Sequence, residues 1–495
     1  MTKTTKSLYR GIVCLSVALT AMHAVAGSDP TRAAQELRVK FNADIEDLAR
    51  WCESKGLADE AKKTRHVLSP TDPNKLFVSI LNNMVGPAKL PADASKEAVE
   101  WDQRLAKLRR DHASALYDMA RHAVRSRREG LAFELAIEAI HADPDYEPVR
   151  RLFGFQKFRD HWRTPYEVRK LRTGSVWNDK FGWLPKTYVR RYEEGQRLVD
   201  GRWIPAAEDA KRHQDIRNGW EVETEHYTIR TNHSIEAGVE LGLKLERLYR
   251  LWQQLFVRYF ASEADVVGLF DGRARPVQRR QHQIVYFRDR ADYKRFMQDS
   301  MPNIETIGVY RDRPPCAYFF AGDEADDRTL FHEATHQLFH ESRPVTPSVG
   351  QNANFWIVEG IAMYMESLRR EDGFYVLGGF EDARMHAARY RFLENKFYVP
   401  LKEFAGYGRE RFQKDPRIAT LYSQAAGLAN FLVHYDGGRY RDALVAYLVM
   451  VYTGRDEPNT LADLTGTDFG TLDKQYREFV TGQGQEASKK AAAEP

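Results

Sequence analysis

The sequence predicts an α+β fold: a small sheet set above a helical half, preceded by a helical region and a short β-rich stretch. Three observations predict it. Residues 31–155 carry apolar side chains at three- and four-residue spacing, and residues from about 160 to 215 alternate aromatic and polar residues between tight turns. From residue 220 the order is strand, helix, strand, strand and then a series of helices. A chain of 495 residues with 43% hydrophobic composition is long enough for several filled cores. The expected divisions are a leader at 1–26, a helical region at 27–158, a connector at 159–218, a main domain at 219–481 and a disordered tail at 482–495.

The leader has the three parts of a secretory signal: the basic stretch "MTKTTKSLYR", the apolar core "GIVCLSVALTA", and small residues Ala24 and Ala26 ahead of Gly27. Cleavage is predicted after Ala26, with export to the periplasm or the medium. A membrane anchor is the alternative, but the apolar run is well short of the ~20 residues that span a bilayer, and His23 interrupts it. Lys3, Lys6 and Arg10 belong to this leader, so residues 27–495 carry 71 basic against 70 acidic side chains. A net charge that close to zero leaves no footprint for nucleic acid or an anionic membrane, and no span is expected after cleavage. Cys14 leaves with the leader. Cys52 and Cys316 exclude a disulfide framework and leave open one bridge or two buried thiols.

In the helical region, "TRAAQELRVKFNADIEDLARWCESKG" and "LAKLRRDHASALYDMARHAVRS" are amphipathic. The segment "GLAFELAIEAIHADPDYEPVRRLFGF" looks like one tetratricopeptide-type hairpin, without the 34-residue period of an array. The connector, with "WNDKFGWLPKTYVRRYEEG" and "RLVDGRWIPAAED", reads as short strands whose aromatics pack a mini-core, with a ligand platform as the other reading. The main domain opens on an alternating strand "WEVETEHYTIRTN" and a helix "SIEAGVELGLKLERLYRLWQQLFVRYF", followed by strands "HQIVYF" and "CAYFFAG".

Directly after them comes "LFHEATHQLFHES". Residues four apart share a helix face, so His332 and His336 can present ring nitrogens to one metal ion while Glu333, one position round, reaches a water on it. His340 fails as a third ligand because 332, 336 and 340 span ~12 Å of helix axis; it is expected at the surface or behind the ligands. A glutamate on a second helix remains, and "NFWIVEGIAMYMESLRR" supplies Glu359 among apolar residues, where an unpaired carboxylate is costly. A solvated glutamate at the helix edge is the alternative. Glu366, two turns on, is placed to accept the second ring N–H of a histidine ligand.

"HEATH" followed by "WIVEGIAMYME" resembles the gluzincin zinc metallopeptidases, whose aminopeptidase branch carries Trp-Leu-x-Glu-Gly-x-Ala-x-Tyr-x-Glu on its second zinc helix. Trp356, Glu359, Gly360, Ala362, Tyr364 and Glu366 match it. The chain is also similar to secreted bacterial gluzincin-like proteins of unknown function. The resemblance, over roughly residues 220–480, implies a zincin-like domain, a Zn2+ cofactor, and a transition-state tyrosine at Tyr422, from the similarity of "LYSQAAGLANFL" to that branch's Tyr-x-Lys-Gly-Ala segment. Tyr422 is otherwise a core tyrosine. The resemblance also implies that "CAYFFAG", just before the zinc helix, is the sheet edge against which extended substrate lies. The 22 residues between His336 and Glu359 exceed that branch's usual spacing, and its amine-binding Gly-x-Met-Glu-Asn segment is missing.

These features predict an exported zinc metallopeptidase acting as an endopeptidase on peptide or protein substrates. His332, His336 and Glu359 bind zinc, Glu333 is the general base and acid, and Tyr422 steadies the oxyanion. The alternative is a non-enzymatic partner-binding protein of the export compartment with a structural or vestigial zinc site.

Overall fold

The computed structural model describes residues 30–68, 70, 72–78, 90–273, 280–302, 305–322, 326–371 and 373–482. The leader with its cleavage position, and the tail from residue 483, lie outside them. The described chain is a mixture of helices and small sheets, as an α+β fold requires. No described helix is long and apolar enough to cross a membrane.

The chain divides into two compact units that do not follow chain order. The strand Lys75–Val78, inside the predicted helical region, belongs to the second unit, and the helix Glu263–Phe270, inside the predicted main domain, belongs to the first. The first unit is otherwise built from helices Pro30–Ser54, Ala58–Arg65, Lys96–Arg125, Glu129–Ala142 and Glu147–Leu152. Ser95 caps the 30-residue helix by accepting the Ala98 N–H at 3.1 Å. Phe41, Ile45, Leu48 and Cys52 pack on Trp101 and Leu105, and the Trp101 indole donates to Thr64 Oγ1 at 2.8 Å. Cys52 here and Cys316 in the second unit are both free and buried.

The second unit, after the strand Lys75–Val78, contains a repetition. Residues 156–212 form three copies of a two-stranded hairpin followed by a short helix. The hairpins pair Gln156–Phe158 with His161–Arg163, Ser175–Asn178 with Gly182–Pro185, and Gln196–Val199 with Arg202–Pro205. The helices are Pro165–Arg172, Val189–Glu193 after a 3-10 turn at Lys186–Tyr188, and Ala206–Arg212. Gly174 and Gly195 join successive copies at φ +80°, where a side chain would be strained. The aromatics pack edge-on, Trp177 on Trp183 at 5.7 Å and Tyr188 on Trp203 at 5.2 Å.

A five-stranded sheet follows, made of β1 (Trp220–Glu223), β2 (Tyr227–Thr231), β3 (His282–Phe287), β4 (Gly308–Asp312) and β5 (Pro315–Phe320) in the spatial order β4-β5-β3-β2-β1. β2, β3 and β5 are parallel; the two outer strands run antiparallel to their neighbours. Three expectations change here. "WEVETEHYTIRTN" is a hairpin rather than one strand, because the chain turns back between Glu223 and Tyr227. The long helix α1 (Ile235–Leu255) ends at Leu255, and residues 257–260 form a separate turn of helix. "CAYFFAG" is an interior strand, and the edge beside it is β4. The physical reason is burial on both faces: Ala317 and Phe319 join the main core, while Cys316, Tyr318 and Phe320 join a second cluster with Phe287, Tyr293 and Met297. The more polar "GVYRD" suits an edge.

Below the sheet lie α2 (Asp327–Glu341), α3 (Phe355–Met365), α4 (Ala383–Leu393), α5 (Ile418–His434) and α6 (Arg441–Thr453). α3 is the centre of this half, with Phe355–Val358 and Gly360–Met365 all buried. Gly360 sets how closely it meets α5, since a Cβ there would stand 2.7 Å from the Ala425 carbonyl oxygen. That close approach brings the α5 side chains over the helix that carries Glu359.

Candidate metal centre

α2 starts where Asp326 accepts the Thr329 N–H at 2.7 Å, and its buried face is Leu330, Phe331, Ala334 and Leu338. His332 and His336 lie four residues apart beside this face, with ring centroids 4.8 Å apart. Their Nε2 atoms are separated by 3.2 Å. Glu359 Oε2, from α3, lies 3.5 Å from His332 Nε2 and 3.9 Å from His336 Nε2. Donors about 2.0–2.1 Å from one tetrahedral ion stand roughly 3.3–3.4 Å from each other, so the triangle has the size such an ion needs. His332, His336 and Glu359 therefore form a group that could hold a metal ion. No fourth His, Cys, Asp or Glu among the described residues joins them.

Glu366 stands behind the group. Its Oε1 lies 2.8 Å from His332 Nδ1, which turns Nε2 toward Glu359. Arg384 on α4 grips the same carboxylate with two bonds, of 2.7 and 2.9 Å, and Arg328 Nε is 3.6 Å away. Burial opposes charge on His332, but its interactions with Glu359 and Glu366 outweigh burial and raise its pKa above the usual histidine value. His336 lacks a second carboxylate of this kind, and burial pushes its pKa down to about 3. A metal ion would thus take the place of a proton that His332 shares with the carboxylates.

Glu333 lies outside the ligand triangle. Its Oε2 accepts the backbone N–H of Tyr310, on edge strand β4, at 3.0 Å. Its Oε1 makes no hydrogen bond among the described residues. Burial is the main cause that lifts its pKa to about 7, against the opposing influence of His332 and the Tyr310 amide.

Tyr422 projects from α5. Its ring meets Phe412 edge-on at 5.2 Å, and its hydroxyl has no hydrogen-bond partner among the described residues, so the carbonyl partner expected of an ordinary core tyrosine is not found. Burial raises its pKa above the usual tyrosine value, and the negative charges of Glu359 and Glu333 add to the shift. His340 lies apart from the ligands, between the rings of Tyr310 and Tyr452 at 5.5 and 5.4 Å.

The structure adds four residues to those read from the sequence. Arg328 had a signal, since it precedes His332 by one helical turn. Arg384 and Tyr310 had none: α4 reads as an ordinary amphipathic helix, and β4 is five residues of mixed polarity. Arg409, whose guanidinium lies 5.3 Å from the Phe355 ring at the start of α3, adds positive charge that acts on His336, His340 and Glu359. No protein-family model matches this chain, and no curated protein matches it.

Proposed function

We propose that the protein is an exported zinc-dependent peptidase that hydrolyses internal peptide bonds. The observation that carries the reading is the triangle of His332, His336 and Glu359 with separations of 3.2, 3.5 and 3.9 Å and, among the described residues, three protein donors only. Two imidazoles and one carboxylate suit zinc, and a three-donor set leaves a coordination position open to water or substrate, whereas a structural site closes it. Zinc, when bound, supplies a Lewis acid that acidifies water and polarises a carbonyl.

The protein's own residues do the rest. Glu333 takes the proton of the attacking water on its free Oε1 and passes it to the departing amine, held in place by the Tyr310 amide on Oε2. Tyr422 donates a hydrogen bond from its hydroxyl to the carbonyl oxygen as that oxygen becomes negative. Glu366, itself fixed by Arg384, keeps the His332 ring in one orientation. β4 is an outer strand of the sheet among the described residues, and beyond the Tyr310 amide that Glu333 occupies, an extended peptide would pair through its backbone with little sequence preference.

The test is Glu333→Gln. An amide cannot accept the proton, so zinc content by elemental analysis should match wild type while cleavage of a peptide library falls at least ~10²-fold. A fully zinc-loaded wild-type protein that cleaves no peptide would defeat the reading, as would a Glu333→Gln variant that cleaves normally.

A further inference from the structure

The near-zero net charge conceals an asymmetry. The three hairpin-helix copies at 156–212 contain 14 Lys and Arg against 8 Asp and Glu, a net of +6, so the rest of residues 27–495 is net acidic. The excess has a period. Arg169, Arg190 and Lys211 are 21 residues apart, as are Lys170, Arg191 and Arg212, so each helix carries a basic pair at the same place in its copy. All but the half-buried Lys170 are exposed.

Ion pairing removes only half of this charge. Lys170 pairs with Glu223, Arg190 with Glu194 and Arg212 with Glu208. Arg169, Arg191 and Lys211, one in each copy, make no ion pair among the described residues. Lys157, Arg159, Arg172, Lys180, Lys186 and Arg202 make none either, and all nine are exposed. Asp160, Asp179, Glu193 and Asp200, also exposed, make no ion pair among the described residues, but the nine cations outnumber these four, and the excess of positive charge is a cost unless an outside anion neutralises it.

We infer that the hairpin-helix repeats are a binding surface for a linear anionic polymer, one bearing phosphate or carboxylate groups at regular intervals. A repeated ligand suits a repeated surface, with equivalent cations in each copy meeting successive anionic groups. The aromatics argue against an anionic bilayer and against stacked bases. Trp203 lies under Arg191 at 4.7 Å, Trp162 under Lys157 at 5.3 Å, and Phe181 and Tyr192 flank Arg197 at 4.7 and 4.8 Å. None of the large hydrophobic side chains exposed among the described residues lies in 156–212, so the surface offers charge without an apolar wedge.

The experiment compares the mature protein with the triple variant Arg169→Glu/Arg191→Glu/Lys211→Glu, and with a control reversing three exposed cations elsewhere, Lys40→Glu/Arg110→Glu/Lys402→Glu. Long-chain inorganic polyphosphate and poly-L-glutamate are the two probes; the better binder identifies the anion. The expected result is binding to at least one that weakens about tenfold or more between 50 and 200 mM salt. It should fall at least ~10²-fold in the triple variant and stay within about threefold of wild type in the control. If the triple variant has a lowered thermal midpoint, the glutamine set Arg169→Gln/Arg191→Gln/Lys211→Gln carries the comparison, with an expected loss of about tenfold. Failure of both polymers to bind at 50 mM salt would overturn the inference. So would equal losses in variant and control, or binding only to vesicles of phosphatidylglycerol.

Discussion

The metal centre and the hairpin-helix repeats use charge in opposite ways. Around α2 and α3 charged groups answer one another in a chain: His332 by Glu359 and Glu366, Glu366 by Arg384 and Arg328, Arg328 by Asp382. In the repeats, nine exposed cations have no such partner among the described residues. The difference follows from solvent. Buried charge is costly unless paired or bound to a cation, so the residues near the metal group are interdependent, whereas water screens the exposed ones separately.

That contrast ranks the expected effects of substitution. The largest is Glu359→Ala, which removes one donor of three and should reduce zinc per chain to near zero by elemental analysis, as His336→Ala should. Full occupancy in the Glu359→Ala protein would break the ligand assignment and with it one side of the comparison.

Next is Tyr422→Phe, which removes one oxygen and keeps the ring against Phe412. A donor that acts on a developing oxyanion is felt in the transition state, so kcat should drop by ~10²–10³ with KM and thermal midpoint nearly unchanged. An unchanged kcat with a lowered midpoint would assign Tyr422 to packing alone.

A smaller effect is expected one layer out. Glu366→Ala leaves the three donors in place but frees the His332 ring and strips Arg384 of its bidentate partner. Metal affinity, measured by competition with a chelator, should weaken about 10–100-fold. Wild-type affinity would show that the ring needs no such support.

Lys186→Gln, in the repeats, should have the smallest effect. Lys186 is exposed and unpaired, so stability in chemical denaturation should change by less than about 0.5 kcal/mol. A loss well above that value would mean that the repeat cations are coupled as tightly as those of the metal centre, which would erase the distinction.

The sequence contained the metal group because helices are periodic. Four-residue spacing puts His332 and His336 on one side of α2 whatever surrounds it, and a glutamate among Trp356, Ile357 and Ile361 is conspicuous wherever α3 packs. The threefold repetition of 156–212 was harder to see. Its turns differ in length, residues 159–160, 179–181 and 200–201, so the copies fall out of step when only the hairpins are compared. The 21-residue spacing stands out once the helices are aligned.

Local patterning alone thus determined the mixed α and β character, the two helices of the candidate metal centre and the candidate ligands, since each depends on residues within a few turns of one another. Tertiary structure decided which strand forms the edge, because burial of Cys316–Phe320 on both faces depends on clusters drawn from distant parts of the chain. It decided that Lys75–Val78 pairs with Phe374–Gly378 and that Glu263–Phe270 joins the first unit. It also joined Arg384 to Glu366 and the Tyr310 amide to Glu333. Those partnerships satisfy buried polar atoms, and which atoms become buried together is settled only when separate elements pack.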